Sequence, residues 1–240
     1  MTKSLLALSV LAACGNAADG GGTLPDAGGD PVPAMITVSG QVAQAVYADD
    51  VSPLPGIPVR AFDRDDELTP IAEATADDLG NFTLSIPTNG EPFDGYLLAH
   101  DEFTQQQVDT YFYLSAPLSA DSAGLLVPLL SPYLMGLLVN ECNPDQAAGK
   151  GVIVAVATDS ARKPVEGVTF TSAPAANRYC YNDGVWSPAP LQLRTIADGI
   201  GYMFNVVGPV TVTANKTGAD FKPRLVTARP DVVTMVLIAP

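Results

Sequence analysis

Two glycine turns, set the same distance behind two other glycines, constrain this chain more than any other feature. Gly40-Gln41-Val42 leads to Pro53-Leu54-Pro55-Gly56-Ile57-Pro58-Val59, and Gly151-Val152-Ile153 leads to Pro164-Val165-Glu166-Gly167-Val168-Thr169-Phe170. In both stretches 16 positions separate the glycines, with a proline three before the second. Later, Ala76-Asp77-Asp78-Leu79-Gly80 aligns with Ala197-Asp198-Gly199-Ile200-Gly201. Such spacing predicts one supersecondary unit used twice.

Each copy reads as short strands. Ile36–Val42, Ile57–Phe62, Phe82–Ile86 and Val210–Ala214 alternate in hydropathy with a period of two, and Gly, Pro and Asp clusters between them make turns. Asp-x-x-Gly ahead of a strand suits a tight hairpin, because glycine accepts positive φ without steric cost. The copies close on apolar strands, Tyr111–Leu114 and Thr234–Ile238. Many short strands at this spacing predict an all-β chain of two tandem antiparallel β-sandwiches.

These motifs resemble the carboxypeptidase regulatory-like family, also described as transthyretin-like or collagen-adhesin B-type modules. Its pattern runs G-x-V, then P-L-x-G-V-x-V, then T-x-x-x-G-x-F. The first copy matches through Gly40–Val42, Pro53–Val59 and Asp77–Phe82; the second departs, with Met203 read in the place of Phe82. The resemblance implies a prealbumin-like β-sandwich used as a spacer, stabiliser or adhesive module, and it specifies fold, not activity. Some relatives carry a Lys–Asn or Lys–Asp isopeptide bond. The first copy has no lysine to make one, and Lys150, Lys163, Lys216 and Lys222 of the second sit near turns or polar stretches.

Ahead of the repeat, Lys3 and the run Leu5–Val10 precede Leu11-Ala12-Ala13-Cys14. A basic start, a short apolar middle and small residues before a cleavage point make an export signal. The Leu-small-small-Cys ending resembles the lipobox of bacterial lipoproteins. That resemblance implies removal of residues 1–13, a covalent lipid on Cys14 and anchoring without spanning. Gly15 after the cysteine points to the outer membrane, on its periplasmic or cell-surface face. Residues 14–34, rich in Gly, Pro and Asp, read as a solvated tether.

Charge divides the rest. Between Ile36 and Ser115, 14 acids face only Arg60 and Arg64, a net of −12; from Ala116 onward nine acids meet nine bases. An acidic balance of this kind argues against nucleic-acid partners. It leaves the membrane, through the lipid, and an envelope protein or glycan as the partners to expect.

Leu125–Val139 is the most apolar run after the leader. Fifteen residues interrupted by Pro128 and Pro132 are too few to span a bilayer as a helix and read as a short helix or buried connector within 117–148. The module boundaries expected on this basis are 35–116 and 149–240. Cys142 and Cys180 remain once Cys14 is lipidated, and two spare cysteines in an exported chain predict one disulfide.

Catalytic motifs are lacking: there is one histidine, His100, and no Gly-x-Ser-x-Gly or His-Glu-x-x-His. The chain is read as non-enzymatic, with no cofactor beyond the lipid. Asp63, Asp65, Asp66 and Glu67 form the best acidic candidates for calcium, with Asp49-Asp50 and Asp77-Asp78 nearby in pattern, although no Asp-x-Asp-x-Asp-Gly loop is present. Arg178, Tyr179, Tyr181 and Trp186 form an aromatic loop suited to stacking on sugar rings or binding a partner. The expected role is a structural, adhesive or binding protein of the cell envelope. The alternatives are a carbohydrate-binding surface lipoprotein and an accessory subunit of an envelope complex.

Overall fold

Alternation of side chains builds the sheets. Along β5 (Asn81–Pro87), Phe82, Leu84 and Ile86 are buried while Asn81, Thr83 and Ser85 face water. A computed structural model describes residues 31–45, 51–143, 145–184 and 188–240. The described chain is almost all β: β1 (Met35–Ala45), β2 (Val51–Pro53), β3 (Pro58–Asp63), β4 (Ala72–Thr75), β5, β6 (Gly95–Ala99), β7 (Thr110–Tyr113) and β8 (Ser122–Leu129) precede a single helix, α1 (Pro132–Cys142). There follow β9 (Gly151–Ala157), β10 (Thr169–Ala173), β11 (Arg178–Asn182), β12 (Pro188–Ala189), β13 (Ile200–Val206), β14 (Gly208–Asn215), β15 (Arg224–Ala228) and β16 (Val233–Ile238).

One connectivity occurs twice. In the first half, β1 pairs antiparallel with β5 and parallel with β8, while β3, β6 and β7 form the facing antiparallel sheet. In the second, β9 pairs antiparallel with β13 and parallel with β16, and β10, β14 and β15 face them. The two facing layers of the first half enclose Val38, Phe82, Leu97 and Phe112; those of the second enclose Ile153, Phe170, Val212 and Met203.

The two sandwiches follow one another along the chain and share a sheet. β16 lies parallel to β7, with Val233 opposite Thr110 and Val236 opposite Tyr113. This pairing fuses one sheet of each half into a nine-stranded sheet, β12-β11-β13-β9-β16-β7-β6-β3-β4. Its two faces are covered unequally. Ile153, Ala155, Val236, Tyr113 and Tyr96 point to the β10-β14-β15 layer. On the opposite face, Phe112, Leu97 and Ala61 pack on the β1 sheet, and Val152, Val154 and Val233 lie in a third cluster with α1 residues Leu138 and Cys142. Met235 and Leu237 touch both of those clusters. All seven residues of β9 are buried, as a strand covered on both faces must be.

Hydrogen bonds fix the register of the repeat and correct the sequence alignment. The Val42 amide donates to Gly80 O (2.8 Å) and the Leu54 amide to Val42 O (3.0 Å). Their counterparts are Ala157 to Gly199 O (2.9 Å) and Val165 to Ala157 O (2.8 Å). Gly80 and Gly199 share φ values of +75° and +69°, and a Cβ on either would lie 2.5 Å from a carbonyl oxygen, Val42 O or Ala157 O. Gly199, not Gly201, is therefore the partner of Gly80, and Ala155, not Gly151, that of Gly40. The place of Phe82 falls on Gly201, not on Met203. The core compensates: a Cβ on Gly201 would sit 2.5 Å from the ring of Phe170, whose counterpart on β3 is the smaller Val59. A large–small pair in one half has become small–large in the other, which conserves volume.

The apolar run also divides. Ser122–Leu129 is a strand, and the helix begins only after Ser131, whose hydroxyl accepts from the Leu134 amide at 3.3 Å, with Pro132 in the first turn. Pro128 is tolerated because β8 pairs with a named strand only through β1 and is otherwise an edge. The stretch expected as connector thus supplies the last strand of the first half's sheet.

Candidate functional site

Side chains from both halves converge where the halves meet. Asp94 lies at its centre. Arg64 donates to it twice, Nε to Oδ2 at 3.1 Å and Nη2 to Oδ1 at 2.8 Å. Arg224, at the start of β15, donates from Nη2 to the same Oδ1 at 2.6 Å and from Nε to Leu114 O at 2.9 Å. Burial opposes ionisation of Asp94, yet the hydrogen bonds and charges of Arg64 and Arg224 outweigh it and hold the carboxyl below its usual range. Arg64 also donates to Leu225 O at 2.6 Å.

Arg229 makes the second contact. Its guanidinium lies 4.1 Å from the Tyr111 ring centroid and 4.7 Å from that of Tyr96, within cation–π range. Nη1 donates to Tyr113 Oη at 3.2 Å, and Nη2 sits 2.8 Å from Glu67 Oε1 as an ion pair without hydrogen-bond alignment. Arg162 adds a third, donating to Ser122 Oγ (2.7 Å) and Ala123 O (3.0 Å). Two basic residues of the neutral stretch, Arg224 and Arg229, thus pair with acids of the acidic one, while Arg162 bonds to β8. The charge asymmetry, read in the sequence as bearing on partners, is partly answered within the chain at this joint.

Cys142 and Cys180 form the expected disulfide, with Cα atoms 5.8 Å apart. It ties the last turn of α1 to β11 in the nine-stranded sheet.

β11 itself shows what two of the aromatic candidates do. Tyr181 is 4% exposed and stacks on Phe170, and its hydroxyl accepts the Phe170 amide at 2.8 Å. The Tyr179 hydroxyl accepts the Ser172 amide at 3.1 Å and lies 2.9 Å from Ser172 Oγ. Phe170 and Ser172 belong to β10, whose counterpart β3 is flanked by β4. In the second half the corresponding strand has moved to the other sheet, and tyrosine hydroxyls take up the amides left free. Unpaired edges of this kind are otherwise templates for association. Tyr181 is enclosed in the core and is not presented to a ligand as expected, whereas Tyr179 is half-buried. Arg178 remains exposed, its Nη2 3.5 Å from Pro190 O. Trp186 and Cys14 lie outside the described residues.

The acidic candidates do not converge. Asp63 Oδ1 accepts the Asp65 amide at 2.9 Å, Asp66 Oδ1 accepts the Leu68 and Thr69 amides at 2.9 and 3.1 Å, and Glu67 faces Arg229. The Leu68 amide is the main reason the Asp66 carboxyl sits below its usual range. Asp77 caps its own turn through the Leu79 and Asn81 amides, and Asp49-Asp50 lie outside the described residues. Among the described residues no group of three or more His, Cys, Asp or Glu side chains is placed to hold a metal. His100 Nδ1 is 2.5 Å from Asp109 Oδ1.

No protein-family model and no curated protein sequence matches the chain. Among solved structures, the Bacillus anthracis TIE protein is similar over 85% of this chain at 11% identity, with a TM-score of 0.28; the chain spans 34% of that protein's length. A shaft pilin of Lactobacillus rhamnosus GG is similar over 86% of this chain and 97% of its own, at 14% identity and a TM-score of 0.25. A streptococcal ancillary pilin follows over 85% and 68%, at 10% identity and 0.27. Likenesses this distant say nothing of activity. Among the described residues no helix is long and apolar enough to cross a membrane.

Proposed function

We infer that this chain is a non-enzymatic protein of the cell envelope. It is anchored by lipid on Cys14, raised by the tether of 14–34, and acts as a stiff spacer or adhesive unit made of two carboxypeptidase regulatory-like repeats. The first repeat extends through β8 to Leu129. One observation carries the reading: β16 pairs with β7, and Arg162, Arg224 and Arg229 cross the same joint. Two modules that only needed to be linked would not require a shared sheet; a unit that must keep its length and direction gains from one. The Leu-Ala-Ala-Cys motif supports the anchor, and Gly15 supports sorting to the outer membrane.

Three experiments test this. Cells fed labelled palmitate should label the wild-type protein and not Cys14→Ala; equal labelling would overturn the anchor. Protease added to intact cells then separates surface from periplasmic display. Stiffness is read by spin labels at Leu79 and Leu193, exposed sites in the two halves, in the Cys14→Ala background. A single narrow distance distribution is expected, and a broad one would remove the spacer reading.

A further inference from the structure

Among the described residues, a half-open cavity of about 300 Å³ lies between α1 and the face of the nine-stranded sheet that α1 covers. Its helix wall is Leu134, Leu137, Leu138 and Glu141, spaced i, i+3, i+4, i+7 on one stripe. The sheet side includes Val233 and Met235. Tyr202 also lines it, but its hydroxyl is taken by Asn182 Oδ1 at 3.1 Å. Among the described residues the walls are otherwise apolar apart from Glu141, and the volume falls at the small end of ligand-sized pockets. At roughly 30 Å³ for a small group in a liquid, there is room for about ten such groups.

The charge at the rim gives the occupant a sign. Glu141 stands on the stripe where an apolar residue would continue the pattern, in the last turn of α1, which carries no basic residue. An acid at a helix C-terminus meets the negative end of the macrodipole and is unfavourable without a partner. Among the described residues no hydrogen bond or ion pair engages it. The disulfide at Cys142 holds this turn of the helix against β11, and Glu141 stands exposed at the cavity rim.

We propose that this cavity is a binding site for an amphiphile with an aliphatic tail of about ten carbons and a cationic head. The tail lies among Leu134, Leu137, Val233 and Met235, and the head meets Glu141 and the carbonyl end of α1. A carboxylate or sulfate head is disfavoured by the same charge.

Titration of the full chain with decyltrimethylammonium below its micelle concentration tests the site, followed by calorimetry and by methyl NMR shifts at the lining leucines and valines. Saturable one-to-one binding is expected, at least tenfold tighter than decyl sulfate. Glu141→Gln should weaken the cation about fivefold and leave a neutral decyl maltoside unchanged. Leu137→Trp, whose ring projects from the middle of the helix wall and obstructs the path of a tail, should weaken every decyl ligand at least tenfold. Leu134→Trp repeats that test if the first variant melts below wild type. Absence of saturable binding, equal affinity for both head charges, or undiminished binding in both obstructed variants with native near-UV spectra would each overturn the site.

Discussion

Replacing Asp94 by Asn keeps the side-chain shape and removes the charge that two arginines share. Arg224 is 10% exposed at its side chain and Asp94 39% exposed. A fully buried pair broken on one side costs about 3–5 kcal/mol, and an exposed pair about 0–1 kcal/mol. With one partner buried and the other partly solvated, the expected loss is about 2 kcal/mol. For a body of this size that lowers Tm by roughly 4–8 °C. Urea unfolding should show one transition in both proteins, since the shared sheet couples the halves. A double-mutant cycle with Arg224→Met should give a coupling of about 1 kcal/mol or more. The pH dependence has a defined sign. Because the folded carboxyl lies below its usual range, its stabilisation is complete above about pH 4 and fades as pH falls through the lowered value. The gap between wild type and Asp94→Asn should therefore narrow as the pH falls below the ordinary carboxylate range. A loss under about 0.5 kcal/mol, a coupling near zero, or a gap unchanged at low pH would refute the account of the joint.

Replacing Cys142 and Cys180 together by Ser should cost up to about 4 kcal/mol by loop entropy for a separation of 38 residues. Denaturation midpoints check it, and a midpoint that reduction does not move would contradict it. Tyr181→Phe leaves the Phe170 amide unpaired inside the core and should cost about 1–3 kcal/mol, again read by urea unfolding. Gly199→Ala and Gly80→Ala should each cost about 2 kcal/mol or more, since both combine positive φ with a Cβ 2.5 Å from a carbonyl oxygen. A neutral Gly199→Ala would mean that the repeat register is wrong.

Local pattern made much of the fold legible. Alternation marked β1, β3, β5, β14 and β16, Asp77-x-x-Gly80 marked its turn, and cysteine count marked the disulfide. What escaped was set by contacts distant in sequence. The second copy was misaligned because four fewer positions separate Ala157 from Val165 than Val42 from Leu54, and because Phe170 replaces Phe82 from across the core. β8 was hidden in an apolar run whose prolines read as helix breakers, although an edge strand accepts them. Tyr179 and Tyr181 had the composition of a binding loop, and only the loss of β10's neighbouring strand shows why hydroxyls are needed there. No residue of β7 or β16 announces their pairing, since parallel pairing of apolar strands leaves no local mark.

The joint accounts for part of the charge asymmetry and leaves the rest with a consequence. Arg224 and Arg229 offset two of the twelve excess negative charges between Ile36 and Ser115. About ten remain in the first half, with Asp65, Asp66, Asp77 and Glu91 all exposed. Charges separated by more than about 8 Å are largely screened at physiological salt. Copies held side by side on a membrane would therefore repel only at close range, which sets a minimum spacing and opposes lateral sticking. In solution, the second virial coefficient should be positive at about 20 mM salt and fall toward zero by about 0.5 M. A negative value at low salt would mean that the basic residues of one copy find the acidic half of another, and the asymmetry would then be an assembly signal.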